Sequence, residues 1–410
     1  MLIARNARAR VLEALADTPV VLVMGARQVG KSTLVRSIAE TEHPATVLSL
    51  DVANVRESAQ RDPHGFVADL DGATVIDEVQ RVPDLVLEIK DAVDHDRSSG
   101  RFLLTGSANL LRSRRVTETL AGRVDIIRLW PLSQPEIHGG QSRFVDDLLL
   151  GQVPRIADAI PGRDAFAEIV AQGGYPEPRV RSSQGRSRWF ASYLTATLER
   201  DIRDIGDLYR DEELPRLLAS LAARSAQPAN WTAIARELRL ADKTVATYAG
   251  LLESIFLVRR IPAWRPSFLQ RVLHAPKVYI TDTGLLCHLL GVDADRVAND
   301  DRVTGLALET FVGMEVIKQA DASADPPAVL HYRDRDGGEV DLVLETRAGR
   351  VAAIEVKAAQ TVTTADIRGI RKIRDHVGEN FAAGVVLYTG ERTIHLDERI
   401  WAVPLSGLWA

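Results

Sequence analysis

Cysteine is almost absent from this sequence: Cys287 is the one thiol among 410 residues. A lone cysteine excludes an intramolecular disulfide and fits a reducing compartment. It lies in the apolar stretch Leu285-Leu286-Cys287-His288-Leu289-Leu290, which suits buried filler better than a nucleophile. Long apolar runs are missing too. None reaches the roughly 18 residues that a membrane helix needs, so no membrane partner is expected. The opening residues Met1-Leu2-Ile3-Ala4-Arg5 are basic and lack an apolar core. A secretory signal is therefore not expected, and a cytoplasmic location is the default. Nor is there an excess of positive charge, since the formal net charge is -5. The surface as a whole does not advertise nucleic acid, and only a local basic patch would. What is present is ordinary: 46% hydrophobic and 26% charged residues, over a length that suits two or three globular domains.

The stretch that organises the rest is Met24-Gly25-Ala26-Arg27-Gln28-Val29-Gly30-Lys31-Ser32-Thr33. It follows the apolar run Val20-Val21-Leu22-Val23, which reads as a short buried strand, and precedes Leu34-Val35-Arg36-Ser37-Ile38-Ala39, which has helical spacing. It fits G-x-x-x-x-G-K-[ST] at every fixed position. Gly25 and Gly30 let the backbone curl so that successive N–H groups point at phosphate oxygens. Lys31 reaches the β- and γ-phosphates, Ser32 offers a hydroxyl to Mg²⁺, and the helix N-terminus adds its dipole. The expected ligands are ATP or ADP with Mg²⁺.

Ala73-Thr74-Val75-Ile76-Asp77-Glu78 is a second buried strand, closed by two carboxylates. There Asp77 would hold Mg²⁺ and Glu78 would polarise the attacking water, the pairing that ATP hydrolysis requires. Arg101-Phe102-Leu103-Leu104-Thr105-Gly106-Ser107-Ala108-Asn109 is a further strand with a polar tip. Between the two strands already placed, it would aim Thr105, Ser107 or Asn109 at the γ-phosphate, where a hydroxyl or amide senses nucleotide state. A plain Gly-Ser turn is the alternative. With Ala45–Leu50 and Val124–Leu129, about five strands alternate with helices, so a doubly wound parallel sheet is expected with ligand at the strand C-termini.

The P-loop, the strand ending Asp77-Glu78, the Leu104-Thr105-Gly106-Ser107 tip and Ala121-Gly122-Arg123 before Pro131-Leu132-Ser133 resemble a bacterial and archaeal AAA+ ATPase family with a C-terminal domain of unknown function. The resemblance covers nearly the whole chain. It implies that an arginine before the last core strand reaches the ATP of a neighbouring subunit. Arg123 matches that position best, with Arg114 or Arg115 behind it, and a homo-oligomer is implied. The alternative is a salt-bridged arginine with no partner site.

Gln172-Gly173-Gly174-Tyr175-Pro176-Glu177-Pro178 breaks the helical pattern and marks a turn into a helical lid. The resemblance extends to this Gly-Gly-aromatic-Pro element, with Arg179 a candidate for touching nucleotide from the lid side. From Leu214 short helices follow. Trp231–Leu238 and Asp242–Tyr248 flank a short turn and lead into Leu251–Arg260, which reads as a winged helix-turn-helix. Thr232 is expected to open one helix and Asp242 to cap the next. The second helix offers Lys243, Thr244 and Thr247 to a groove but brings few arginines, so protein docking competes with DNA as its use. Arg259, Arg260, Arg265, Arg271 and Lys277 make a locally basic stretch for phosphate or solvent.

In the last part Val329–Arg333, Gly338–Leu344 and Val351–Lys357 read as successive strands after a helix carrying Glu309. Glu355 and Lys357 alternate with Ile354 and Val356, so they share a face, with Asp341 beside them on the neighbouring strand. Two carboxylates and a lysine so placed can bind Mg²⁺ and poise water. The set Glu309, Asp341, Glu355 and Lys357 resembles the PD-(D/E)XK, restriction-endonuclease-like fold. Cleavage, a surface ion pair and a non-cleaving docking fold all remain open on sequence grounds. A helix with Arg368, Arg371, Lys372 and Arg374 is the best local basic face.

The expected organisation is thus an α/β P-loop core over 1–165, a helical lid over 166–212, a winged helix-turn-helix over 213–262 and a nuclease-like α/β domain over 263–410. The expected function is Mg²⁺-dependent ATP hydrolysis that moves the later regions, acting on DNA or a protein partner. The alternatives are a nucleotide-gated docking switch with slow turnover and an ATP-regulated metal-dependent DNA endonuclease.

Overall fold

The computed structural model describes residues 3–106, 122–141, 143–156, 162–203, 212–265, 271, 274–334 and 337–409. Its first sheet is five-stranded and wholly parallel: β1 (Val20–Met24), β2 (Thr46–Ser49), β3 (Thr74–Asp77), β4 (Phe102–Gly106) and β5 (Val124–Arg128), in the spatial order β2-β3-β4-β1-β5. β4 therefore separates β1 from β3, as the polar-tip reading required. β1, β3 and β4 are buried at every position, which is why they read as unbroken apolar runs. Helices α1 (Ala7–Asp17), α2 (Lys31–Thr41), α3 (Ala53–Arg61), α4 (Pro63–Ala68) and α5 (Leu85–His95) belong to this unit. After β5 the chain makes two short helices, α6 (Gln134–Ile137) and α7 (Phe144–Leu149), the first with a Ser133/Glu136 capping box.

The middle of the chain is helical: α8 (Arg163–Gln172), α9 (Ser183–Arg203), α10 (Glu213–Ala222), α11 (Trp231–Leu238) and α12 (Asp242–Ser254). A small antiparallel sheet follows from β6 (Gln227–Pro228), β7 (Val258–Ile261) and β8 (Lys277–Ile280), ordered β6-β8-β7. The sheet takes its central strand from beyond residue 262, so that expected boundary falls inside a hydrogen-bonded unit. The cap of α11 also differs from expectation. Asn230 accepts the Ala233 N–H at 3.0 Å, while the Thr232 hydroxyl donates to Asp242 at 2.6 Å and ties α11 to α12. An asparagine two residues earlier, just before the helix, reaches the orphan N–H instead, and Asp242 is the first residue of α12, after Ala241, and not its cap.

Helices α13 (Thr283–Leu290), α14 (Ala294–Asn299) and α15 (Asp301–Ala322) lead to a six-stranded mixed sheet. Its strands are β9 (Ala328–Arg333), β10 (Glu339–Glu345), β11 (Val351–Lys357), β12 (Phe381–Tyr388), β13 (Ile394–Asp397) and β14 (Ile400–Pro404), with α16 (Arg368–Val377) crossing between β11 and β12. The order is β13-β14-β12-β11-β10-β9, antiparallel from β9 to β11 and parallel from β11 through β12 to β14. Helix α15 packs on the C-terminal sheet and also reaches the segment that follows β5. Its Glu315 accepts the Gln134 N–H at 2.7 Å, its Lys318 donates to the Leu132 carbonyl at 3.0 Å, and Asp321 accepts from the Trp130 indole at 2.8 Å.

Candidate functional site

The loop between β1 and α2 is held open by backbone geometry. Gln28 and Gly30 have positive φ (62° and 97°), which turns successive N–H groups the same way. Gly25 has no room for a side chain, because a Cβ there would sit 2.2 Å from the Leu129 carbonyl oxygen. Lys31 is 5% exposed and donates to the carbonyls of Gly25 and Ala26 at 3.1 and 3.0 Å. Arg27, Gln28, Val29, Gly30, Lys31, Ser32 and Thr33 line one cavity of about 710 Å³. Glu78, Arg81 and Asp51 line it from the sheet side, and Pro176, Glu177 and Val180 from the middle of the chain.

Behind the loop, three side chains from three elements converge. The Ser32 hydroxyl donates to Asp77 Oδ1 at 2.8 Å, and the Thr105 hydroxyl donates to the same oxygen at 2.6 Å. Thr105 in turn accepts the Glu78 N–H at 2.9 Å. Asp77 is 2% exposed, and Arg36 of α2 approaches its second oxygen at 3.7 Å. Glu78 adopts the left-handed conformation (φ 61°), uncommon for a residue with a side chain. Gln80 donates to its Oε2 at 2.5 Å. A hydroxyl and a buried carboxylate 2.8 Å apart beneath a phosphate-binding loop form a donor set suited to one Mg²⁺ beside a nucleotide.

Other expected positions are placed elsewhere. Ser107, Asn109, Arg114 and Arg115 lie outside the described residues. Arg123 makes a two-pronged pair with Asp94 of α5, at 2.6 and 3.0 Å, and does not line the cavity of its own chain. Arg179 donates to the Gly173 carbonyl at 2.7 Å. The Gly-Gly-aromatic-Pro element is a buried joint: Leu132 N–H donates to the Gly174 carbonyl, and Gly174 N–H donates to Asp282, the N-cap of α13. Burial raises the Asp282 carboxyl above its ordinary value despite those N–H donors.

The C-terminal carboxylates also converge. Asp341 of β10 accepts the Val356 N–H of β11 at 2.9 Å, and Glu355 Oε1 faces Lys357 Nζ at 3.1 Å. Glu309 of α15 is close enough to Asp341 to feel its charge; burial first, then Asp341, pushes the Glu309 carboxyl well up. Glu355 is pushed up for the same two reasons in the same order. Among the described residues no group of three or more His, Cys, Asp or Glu is arranged to hold a metal ion.

Three family models match the chain: an AAA domain over 17–138, a Domain of unknown function (DUF8612) over 163–296 and a Domain of unknown function (DUF4143) over 304–408. Uncharacterized protein Rv2008c of Mycobacterium tuberculosis is 31% identical over 403 residues, covering 98% of this chain and 83% of that protein. Uncharacterized protein Mb2031c of Mycobacterium bovis matches with the same values. The chain belongs to this family of AAA-domain proteins with a C-terminal DUF4143 domain. Among solved structures, Thermotoga maritima RuvB is similar at 21% identity and a TM-score of 0.29, over 63% of this chain and 90% of RuvB. Pif1 helicase from Candida albicans is similar at 17% identity and a TM-score of 0.23, over 40% of this chain and 50% of the helicase.

Just ahead of the matched AAA domain, sequence reasoning missed Arg5. Its guanidinium donates to the Val29 and Trp130 carbonyls, both at 2.6 Å, and to Glu136 at 3.0 Å, clamping the P-loop to the segment after β5. Nothing local marks it, since Glu136 is 131 positions away. The basic stretch after the helical region is consumed internally. Arg260 pairs with Glu253 at 2.7 Å, Arg271 with Glu345 at 3.0 Å and Lys277 with Asp341 at 2.8 Å. The helix read as the best basic face is treated likewise, with Lys372 on Asp334 at 2.7 Å and Arg371 on Asp397. Among the described residues no helix is long and apolar enough to cross a membrane.

Proposed function

We propose that this AAA-domain protein hydrolyses ATP with Mg²⁺ and uses the nucleotide cycle to drive its middle and C-terminal regions. The observation that carries the reading is the Ser32–Asp77–Thr105 hydrogen-bonded set directly behind the P-loop. The loop N–H groups and Lys31 would cradle the phosphates, and Ser32 and Asp77 would hold the ion. When bound, Mg²⁺ neutralises charge on the transferring phosphoryl group. Glu78 orients the attacking water, and Thr105 holds both Asp77 and the Glu78 backbone in place. Arg123 is assigned to the ATP of a neighbouring copy, leaving Asp94 on assembly. Arg123→Ala is then expected to slow turnover of the assembled protein by about 10³-fold or more while leaving an isolated chain unaffected. Equal rates in the assembled protein withdraw that assignment.

The region from α10 through β8 has the element order and β6-β8-β7 sheet of a winged helix, which supports that reading. The α15–β9–β10–β11–α16–β12 succession, with Glu309, Asp341, Glu355 and Lys357 on its first helix and second and third strands, supports a nuclease-like C-terminal domain. Helix α15 supports coupling, because Glu309 at that site and Glu315 on Gln134 lie six residues, or roughly 9 Å of helix, apart. The internal pairing of the basic side chains favours a protein partner over DNA. ATP turnover measured with and without duplex DNA tests this: no stimulation at low salt is expected, and a salt-sensitive rise of more than about tenfold would establish DNA as the partner.

A further inference from the structure

Lys277 is the cation that the C-terminal carboxylates already possess. It comes from β8, the central strand of the small sheet, and not from the C-terminal sheet. Its Nζ lies 2.8 Å from Asp341 Oδ1 and 3.3 Å from Glu339 Oε1, and the residue is 1% exposed. The second Asp341 oxygen is taken by the Val356 N–H. Glu355 sends Oε1 to Lys357, and its buried Oε2 has no hydrogen-bond partner among the described residues. An acceptor oxygen buried and unused beside a carboxylate is what a cation site offers, and here an ammonium stands against that carboxylate.

The lysine is held firmly in place. The Ile280 N–H donates to Ser225 Oγ, and the Tyr279 ring lies against Gly313 of α15, where a Cβ would meet it at 2.2 Å. The Trp264 and His331 N–H groups stitch the segment after β7 to β9. Burial alone would lower the Lys277 ammonium, but the carboxylates of Asp341 and Glu339 outweigh it and raise its pKa, so it stays charged at neutral pH.

We propose that Lys277 holds the place of a divalent metal in the nuclease-like site, so that the site takes no Mg²⁺ or Mn²⁺ while this lysine is present. The inference rests on the nuclease-like reading of Asp341, Glu355 and Lys357. It makes the C-terminal domain of this chain a non-cleaving one.

The test is Mn²⁺ binding, followed by electron paramagnetic resonance, to the nucleotide-free full chain. Wild type and Asp341→Asn should bind the same number of ions. Lys277→Gln should bind one more per chain, and the Lys277→Gln/Asp341→Asn double variant should lose it. A wild-type ion that Asp341→Asn abolishes would overturn the role of Lys277 while sparing the nuclease-like reading. A folded Lys277→Gln chain that gains no ion would overturn both. Where Lys277→Gln does not fold, equal binding by wild type and Asp341→Asn upholds the proposal, and unequal binding overturns it.

Discussion

Replacing Glu78 by glutamine is expected to lower ATP turnover by about 10²–10⁴-fold while nucleotide still binds. The substitution removes the charge proposed to polarise water but keeps the shape and the contact with Gln80. Binding should survive because the phosphate cradle, Lys31 and the Ser32–Asp77 pair lie on other elements. The backbone argument points the same way. Glu78 is held at φ 61° with its N–H on Thr105, a conformation that costs on the order of 1–2 kcal/mol for a residue with a Cβ. Such strain persists only where the surroundings over-determine it. Pre-steady-state phosphate release and equilibrium nucleotide binding, measured on the same preparation, separate the two effects. Turnover unchanged from wild type would move the water-activating role to another residue.

Lys277→Met is expected to cost about 3–5 kcal/mol of folding stability, the usual result of removing one partner from a buried ion pair. Asp341 and Glu339 lose their shared cation, and Glu309 and Glu355 lose a charge that opposes the upward push of burial on their carboxyls. The sign with pH follows. Carboxyls whose folded pKa is raised are most comfortable protonated, so their penalty is absent below the ordinary carboxylate range and grows as pH rises through the folded pKa. The deficit of Lys277→Met should accordingly shrink as pH is lowered from 8 toward 5. Chemical denaturation at several pH values reads it directly. A deficit below about 1 kcal/mol at neutral pH would mean that water reaches the carboxylates once the lysine is gone.

The two sites differ in how much of each was legible. The P-loop is local: glycines, lysine and serine act within ten consecutive residues, and the flanking strand and helix were plain from apolar spacing. Asp341 beside Glu355 followed from period-two alternation across neighbouring strands, and the Leu342–Ile354 register places them as that alternation required. What escaped was long-range pairing between charges. Lys277 meets Asp341 across 64 positions and Arg271 meets Glu345 across 74, so a basic run expected to face phosphate or solvent is engaged in internal ion pairs. A signal was nonetheless present. Lys277 and Tyr279 share one face of a strand that is otherwise apolar, and a lysine there must find a carboxylate when that face is buried. The small sheet crosses the expected boundary at 262 because its central strand returns only after an intervening segment.

Helix α15 joins these observations. It carries Glu309 toward the C-terminal carboxylates and Glu315, Lys318 and Asp321 toward the Trp130–Gln134 segment that Arg5 ties to the P-loop. A change at the loop therefore has hydrogen bonds through which to reach α15, whose Glu309 lies within the electrostatic reach of Asp341. Such a route supports coupling and is itself open to test by substitution at Glu315.

The most direct test is single-turnover release of phosphate from ATP and Mg²⁺ by the full chain, compared with Lys31→Ala. The account predicts release by wild type and a loss of at least about 10²-fold in the variant, since Lys31 is the side-chain cation proposed to reach the β- and γ-phosphates. Bound ATP that persists unhydrolysed in wild type, or equal release by both proteins, would contradict it.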